Sequence, residues 1–151
     1  MPRRKRVLAV ASGGGHWEQM QLLRAAFDDQ DVLFATTLPG LAERAGLTRH
    51  ALLPDCNADQ KVAALRCAFA AARLLLRFRP HVIISTGALP GFLVMAIGKA
   101  FGVRTLWVDS VANAEEFSAA GIHARRVADL RLSQWPEVAA ADGAEYAGNL
   151  L

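Results

Sequence analysis

The opening run of the chain constrains its fold more than any other feature. Residues 7–11 are continuously apolar and are closed by Ser12 and three successive glycines, Gly13, Gly14 and Gly15. A short apolar run bounded by turn residues reads as a buried strand. From His16 to about Phe27 the apolar spacing changes to that of a helix, with Met20, Leu23 and Phe27 on one face. The alternation continues along the chain. Residues 31–35 and 50–53 read as strands, with a short helix over 39–46 between them. Helical spacing runs from Asp59 to about Phe78, where Pro80 stops it. Residues 82–85, 105–108 and 129–133 read as further strands, and 90–101 as a helix with Pro90 in its first turn and Gly102 just past its end. Such alternation favours an α/β fold, a Rossmann-like parallel sheet with helices on both faces. Ligands then sit in the loops at the carboxyl ends of strands, which selects the loops after Ala11, Ser85 and Val108.

Size and composition narrow the classes. The 151 residues suit one domain, 1–151. An apolar share of 53% with only 21% charged residues leaves apolar surface for a partner or a membrane. The net charge of +3 is uneven, because Arg3, Arg4, Lys5 and Arg6 stand together. That cluster reads as a solvated tail or as an attraction to anionic lipid. No nucleic-acid partner is expected, since no basic stretch interleaved with aromatic residues follows. Cys56 and Cys67 lack metal or redox spacing and suit a reducing cytoplasm. No signal peptide is expected, and the best apolar run, 88–98, falls short of the roughly 20 residues of a membrane span and contains Pro90 and Gly91.

The loop Ser12-Gly13-Gly14-Gly15-His16 is the first candidate site. Glycines let the backbone amides approach a ligand, and the helix start that follows favours an anion such as phosphate. It is not a dinucleotide fingerprint, which needs glycine where Glu18 stands, nor a P-loop, which needs Gly-Lys-Ser/Thr. His16 at the helix start is a candidate general base; the plainer reading is a histidine that only caps or hydrogen-bonds. Thr86-Gly87 forms a second strand-to-helix turn, either an anion cradle or merely a turn that needs glycine. Asp109 and Ser110 follow a further strand and would line the same crevice, with Asp109 orienting His16 or capping a helix. No acidic pair or His/Cys cluster offers a metal site.

Two other segments carry alternatives. In the long helix, Arg66, Arg73 and Arg77 fall on one stripe, and Leu65, Phe69, Ala72 and Leu76 on an adjoining apolar one. Either the helix packs on the sheet with its arginines in water, or it lies in a membrane interface with the arginines on lipid phosphates. The ending, 133–151, contains Gln134, Trp135 and Tyr146 and reads as a partner-docking tail or as an ordinary tail packed on its own domain.

The segment from Ser12 to Met20 resembles the glycine–glycine–histidine loop of the membrane-side subunit of the split N-acetylglucosaminyltransferase that makes lipid-linked chitobiose, the asparagine-linked-glycosylation-fourteen type. Its bacterial relatives act in capsule and exopolysaccharide assembly, and the peptidoglycan lipid-intermediate N-acetylglucosaminyltransferase has a similar loop. Ile84-Ser85-Thr86-Gly87-Ala88-Leu89-Pro90-Gly91 resembles that family's second glycine loop, and Ser133-Gln134-Trp135-Pro136-Glu137 with Tyr146-Ala147-Gly148-Asn149-Leu150 its closing segment. Asp109 stands where the family usually has glutamate, and Asn113 where a basic residue is common.

The resemblance implies the N-terminal, acceptor-binding half of a GT-B glycosyltransferase, inverting at the anomeric carbon. It implies a separate donor-binding subunit that holds the UDP-sugar, docked through Gln134, Trp135 and Tyr146, and no other cofactor. It implies a polyprenyl-diphosphate-linked or other membrane-lipid acceptor. Catalysis falls to His16 and Asp109, and Ser12, Gly13, Gly14, Gly15, Thr86, Gly87 and Ser110 meet the acceptor or its phosphates. The chain is expected to be cytoplasmic and peripheral on the inner face of the cell membrane, through Arg66, Arg73 and Arg77. The alternatives are a non-catalytic scaffold that recruits a catalytic partner to the membrane, and a free-standing nucleotide-binding α/β protein.

Overall fold

The structure, a computed structural model, describes residues 2–150; the two ends of the expected 1–151 domain, and the last residue of the 133–151 tail, lie outside the described residues. Seven strands form one sheet: β1 (Arg6–Ala11), β2 (Asp31–Thr36), β3 (His50–Leu52), β4 (Val82–Ser85), β5 (Arg104–Val108), β6 (Leu130–Ser133) and β7 (Glu145–Tyr146). Their order is β3-β2-β1-β4-β5-β6-β7, and every pairing is parallel. The chain builds outward from β1 in one direction as far as β3, then returns to place β4 on the other side of β1. That reversal makes the β1/β4 boundary the topological switch point of the sheet.

The helices are α1 (Gly15–Leu23), α2 (Leu41–Arg44), α3 (Lys61–Phe78), α4 (Ala88–Ala100), α5 (Ala119–His123) and α6 (Pro136–Asp142). The first predicted helix is shorter than its apolar spacing suggests, because it tightens into a 3₁₀ turn over Arg24–Phe27. Elements α5, α6 and β7 are too short to show a period in the sequence.

Side-chain alternation along the strands sorts the core into two layers. Leu8 and Val10 of β1 face one way, joined by Ala71, Leu75 and Phe78 of α3 and Val94 and Met95 of α4. Val7, Ala9 and Ala11 face the other way, against Trp17 and Met20 of α1 with Phe27 and Phe34. Helices therefore cover both faces, as the strand–helix alternation requires. Cys56 and Cys67 are buried and unbridged. Burial, reinforced by the neighbouring Cys56, pushes the Cys67 thiol up to about 12, so it stays protonated at neutral pH.

Helix α3 differs from an ordinary crossover helix. Cys67, Ala71, Leu75 and Phe78 face the core, and Arg79 ends the helix in the left-handed region with its amide bonded to the Leu75 carbonyl at 2.8 Å. The opposite side is also apolar. Val62, Leu65, Phe69 and Leu76 are 66%, 71%, 69% and 62% exposed, so the second apolar stripe faces solvent, with Arg66, Arg73 and Arg77 exposed alongside it. No helix among the described residues is long and apolar enough to cross a membrane.

The two faces differ in what they do for stability. Leu75→Ala is expected to lower unfolding free energy by about 2–5 kcal/mol, as truncation in a packed core does, whereas Leu65→Ala is expected to change it by no more than about 0.5 kcal/mol. Urea unfolding of both variants measures the contrast; equal losses would mean that the outer stripe is packed in solution.

Candidate functional site

The two glycine turns meet at the switch point. Registry between β1 and β4 sets Val10 beside Ser85, so the loops that follow leave the sheet side by side. Gly14, at φ 75°, is the N-cap of α1, and Gly87, at φ 144°, is the N-cap of α4; neither helix start has a side-chain cap. At α1 the first amides are therefore not capped by the N-cap side chain, whereas at α4 the Gly87 amide is taken by the Ser85 hydroxyl. Gly14 and Gly15 are exposed, with no atom within 4 Å of where a β-carbon would stand. Gly13 lies against Leu38 and is half-buried.

His16 joins the turns. Its Nδ1 lies 3.1 Å from the carbonyl oxygen of Thr86, and the Thr86 hydroxyl donates to the His16 carbonyl at 2.6 Å. A carbonyl only accepts, so Nδ1 carries the proton, and in the neutral ring Nε2 presents a lone pair. That is the tautomer a general base needs. The ring lies over Gly87: a β-carbon there would stand 2.4 Å from Nδ1. Gly87 is therefore required twice, by its φ and by the imidazole above it. The Ser85 hydroxyl accepts from the Gly87 amide at 3.2 Å, and a β-carbon on Gly91 would meet that same oxygen at 2.0 Å. Ala88 holds φ 65°, a left-handed conformation unusual for a residue with a side chain, at the first position of α4. Strain of this kind clusters where a loop is shaped for a ligand.

Asp109 plays a different part from the one expected. It is 2% exposed. Its carboxylate accepts from the Trp107 indole at 3.0 Å, the Asn113 amide at 3.2 Å, and the Ser118 amide and hydroxyl at 2.9 and 2.6 Å. Ser118 in turn caps α5. Those four donors occupy the carboxylate, and none comes from His16. The imidazole is oriented by the Thr86 carbonyl instead, and Asp109 fixes the loop after β5 and the start of α5.

Ser110 is likewise engaged. Its hydroxyl accepts from Gln19 at 3.0 Å and from the Ala112 amide at 3.1 Å. Gln19, one turn beyond His16 and buried, also accepts from the Val111 amide at 3.2 Å and from Gln134 at 2.5 Å. Gln134, 2% exposed, donates to the Asp109 carbonyl at 2.9 Å and accepts from the Leu150 amide at 3.0 Å. Its side chain is consumed inside the domain, which corrects the expectation that it docks a partner. Trp135 is half-buried and its indole donates to the Val111 carbonyl at 2.7 Å. Of the three expected docking residues only Tyr146, 45% exposed on the edge strand β7, has its side chain outside. Ser12 is buried beneath the glycine turn. Gln19 and Ser85 were missed as site residues. Gln19 alone had a signal in sequence, a polar side chain one turn from His16 on an otherwise apolar face.

The turns face solvent at Gly14 and Gly15. Two concavities, each of about 520 Å³, lie elsewhere, one between β3 and α3 and one at the amino ends of the strands beside Arg4 and Arg104. Among the described residues no group of His, Cys, Asp and Glu is arranged to hold a metal ion.

Two outcomes follow from this geometry. The neutral His16 ring is expected in the Nδ1–H form, readable by long-range ¹H–¹⁵N correlation, and Gly87→Ala is expected to abolish that preference by displacing the ring. Asp109→Ala is expected to cost about 3 kcal/mol or more, since it strands several buried donors, while leaving the His16 tautomer unchanged. A shifted His16 signal in the Asp109 variant would restore a direct link between the two.

No family model matches the chain, and no curated protein matches it. Solved structures do. MurG from Acinetobacter baumannii superposes with a TM-score of 0.72 at 14% identity, over 89% of this chain and 43% of that one. UDP-N-acetylglucosamine 2-epimerase from Rickettsia bellii gives 0.75 at 11% identity, over 98% and 46%. The S. aureus MnaA–UDP structure gives 0.71 at 10%, over 95% and 43%. The chain thus spans under half the length of the structures it resembles. At these identities the likeness shows the fold alone: a Rossmann-like parallel α/β domain that agrees with the N-terminal half of a GT-B enzyme.

Proposed function

We propose that this chain is the acceptor-side half of a two-part, inverting glycosyltransferase whose UDP-sugar is held by a separate donor-binding subunit. The observation that carries the reading is the His16 imidazole, held by the Thr86 carbonyl in the tautomer of a base, between two uncapped helix starts. The acceptor is a polyprenyl-diphosphate-linked sugar or a related membrane lipid. Its phosphates are assigned to the exposed Gly14–Gly15 turn and to the start of α4 just past Gly87, whose own amide is bonded to Ser85, where the helix starts and their dipoles favour anions. The acceptor hydroxyl gives its proton to Nε2 of His16 as its oxygen attacks the anomeric carbon, and the bond from that carbon to the UDP oxygen breaks.

Turn glycines exposed to solvent suit a site completed by a second domain, and the span of under half of the similar structures supports the same division. The outer stripe of α3, with Arg66, Arg73 and Arg77 beside it, is the surface we assign to the inner face of the cell membrane. Stems of arginine lie on apolar surface while their heads meet phosphate. The docking tail is narrowed to the edge strand β7 and Tyr146.

The chain by itself is expected to transfer no sugar, and a protein that co-purifies with it from its native source is expected to restore transfer from a UDP-sugar to a polyprenyl-diphosphate acceptor. In that complex His16→Ala is expected to lower kcat by about 10²–10⁴-fold, the usual contribution of general-base catalysis, with complex formation unchanged. Unaltered turnover in the variant would make the chain a recruiting scaffold. Full activity from the chain without a partner would end the split-enzyme reading.

A further inference from the structure

Next to the outer stripe of α3 is a cleft that the proposed chemistry leaves unused. It has a volume of about 520 Å³ and lies between the edge strand β3 and the second half of α3. Arg49 and His50 stand on the β3 wall, and Arg73 and Arg77 on the α3 wall. The base is apolar, with Leu53 and Phe78 buried. Each rim carries a large exposed apolar side chain, Leu52 at 57% and Phe69 at 69%. No carboxylate lines the cleft.

The four basic groups are not equivalent. Arg49 is paired with Asp31, and its guanidinium lies 5.1 Å from the centre of the Phe78 ring. His50 Nε2 lies 3.1 Å from a Glu43 oxygen. Arg73 and Arg77, four residues apart and so on one side of the helix, form no ion pair among the described residues. Two guanidinium forks on one side of a helix suit a bidentate oxyanion such as phosphate or carboxylate. The apolar base and rims ask for hydrocarbon. Phe69 belongs both to the rim and to the outer stripe, so the cleft opens directly onto the surface assigned to the membrane.

We propose that this cleft seats the headgroup of an anionic membrane phospholipid, with its phosphate between Arg73 and Arg77 and its acyl chains leaving over Leu52 and Phe69 into the bilayer. The proposal rests on the reading that the outer face of α3 meets a membrane, and adds to it one defined lipid site. Continuity of the rim with the exposed stripe favours a lipid over free phosphate, which has no use for the apolar walls.

Flotation of the full chain with phosphatidylcholine vesicles, with and without phosphatidylglycerol, tests it. Binding is expected only where the anionic lipid is present. Arg73→Gln with Arg77→Gln is expected to weaken it about 30-fold, from the usual contribution of two basic residues near an anionic surface. Arg125→Gln with Arg126→Gln, which removes equal charge just before β6, near the opposite edge of the sheet from β3, is expected to weaken it by only a few-fold. All these residues are exposed, and thermal unfolding of the variants checks that the fold survives. Equal losses from the two pairs would overturn the cleft in favour of diffuse charge attraction. Titration with soluble dihexanoyl phosphatidylglycerol is expected to shift NMR signals of Leu52, Phe69, Arg73 and Arg77. Inorganic phosphate binding as tightly would overturn the lipid assignment. If Leu65→Ser with Leu76→Ser abolishes flotation while the Arg73/Arg77 pair does not matter, the membrane reading stands and the cleft falls. None of these measurements involves His16, so their failure leaves the assignment of the base untouched.

Discussion

The exchange of two hydrogen bonds between His16 and Thr86 is what makes a site out of two turns. Each such bond contributes about 1 kcal/mol net. Against them stands the left-handed Ala88, which costs on the order of 1–3 kcal/mol. The bonds alone therefore barely balance the strain of the loop they join. The remainder comes from parallel pairing of β1 with β4, which brings Val10 and Ser85 into register and leaves the loops no other place to go. The Ser85 hydroxyl, bonded to the Gly87 amide and closed over by Gly91, then sets the loop's path. The imidazole is held by the backbone of the neighbouring strand's loop, and its orientation depends on the sheet order rather than on a third catalytic side chain.

A second set of contacts keeps that arrangement rigid from below. Buried polar groups are costly unless satisfied, and here Gln19, Ser110, Gln134 and the Asp109 carbonyl satisfy one another. Gln19 belongs to the helix that carries His16; Gln134 follows β6 and accepts from the amide of Leu150. Position of α1 is thus tied to the loops after β5 and β6 and to the end of the described chain. The Asp109 carboxylate, with four donors, anchors the same region through Trp107 and the start of α5.

The sheet and both glycine turns were legible in the sequence because strand length, apolar runs and glycines are local signals. Strand β1, Gly13–Gly15 and the start of α1 can be read from a dozen consecutive residues. What was not legible depends on the path of aperiodic loops and on residues far apart in the chain. Asp109 looks like a catalytic carboxylate although its donors Trp107, Asn113 and Ser118 stand within nine residues of it, because a loop without a period gives no sign of which side chains turn inward. Gln134 next to Trp135 and Pro136 looks like a surface motif until Gln19, 115 residues away in sequence, turns out to be its partner. The apolar stripe of Leu65, Phe69, Ala72 and Leu76 on α3 reads either as core packed on the sheet or as a membrane-facing surface. Spacing finds a stripe, but only the sheet beneath decides which stripe is covered.

Helix α3 shows why that decision matters. Its inner stripe fills the core and is sufficient to hold it on the sheet with α4. Its outer stripe contributes little to folding, yet four large apolar side chains remain in water. Burying side chains of that size from full exposure is favourable by about 1.5–3 kcal/mol each; with these four already about one-third buried, roughly 4–8 kcal/mol would be released if something covered them all. That is comparable with the whole stability of a domain, about 5–15 kcal/mol, and with the cost of lost freedom on association, about 4–15 kcal/mol. A surface of this kind is a liability for a protein that stays alone in solution. Three exposed arginines on the same helix, Arg66, Arg73 and Arg77, none of them ion-paired among the described residues, bias the covering partner towards one that is negatively charged at its face and apolar behind it. A bilayer with anionic headgroups meets both demands at once, and under the proposed function the same surface would carry the acceptor.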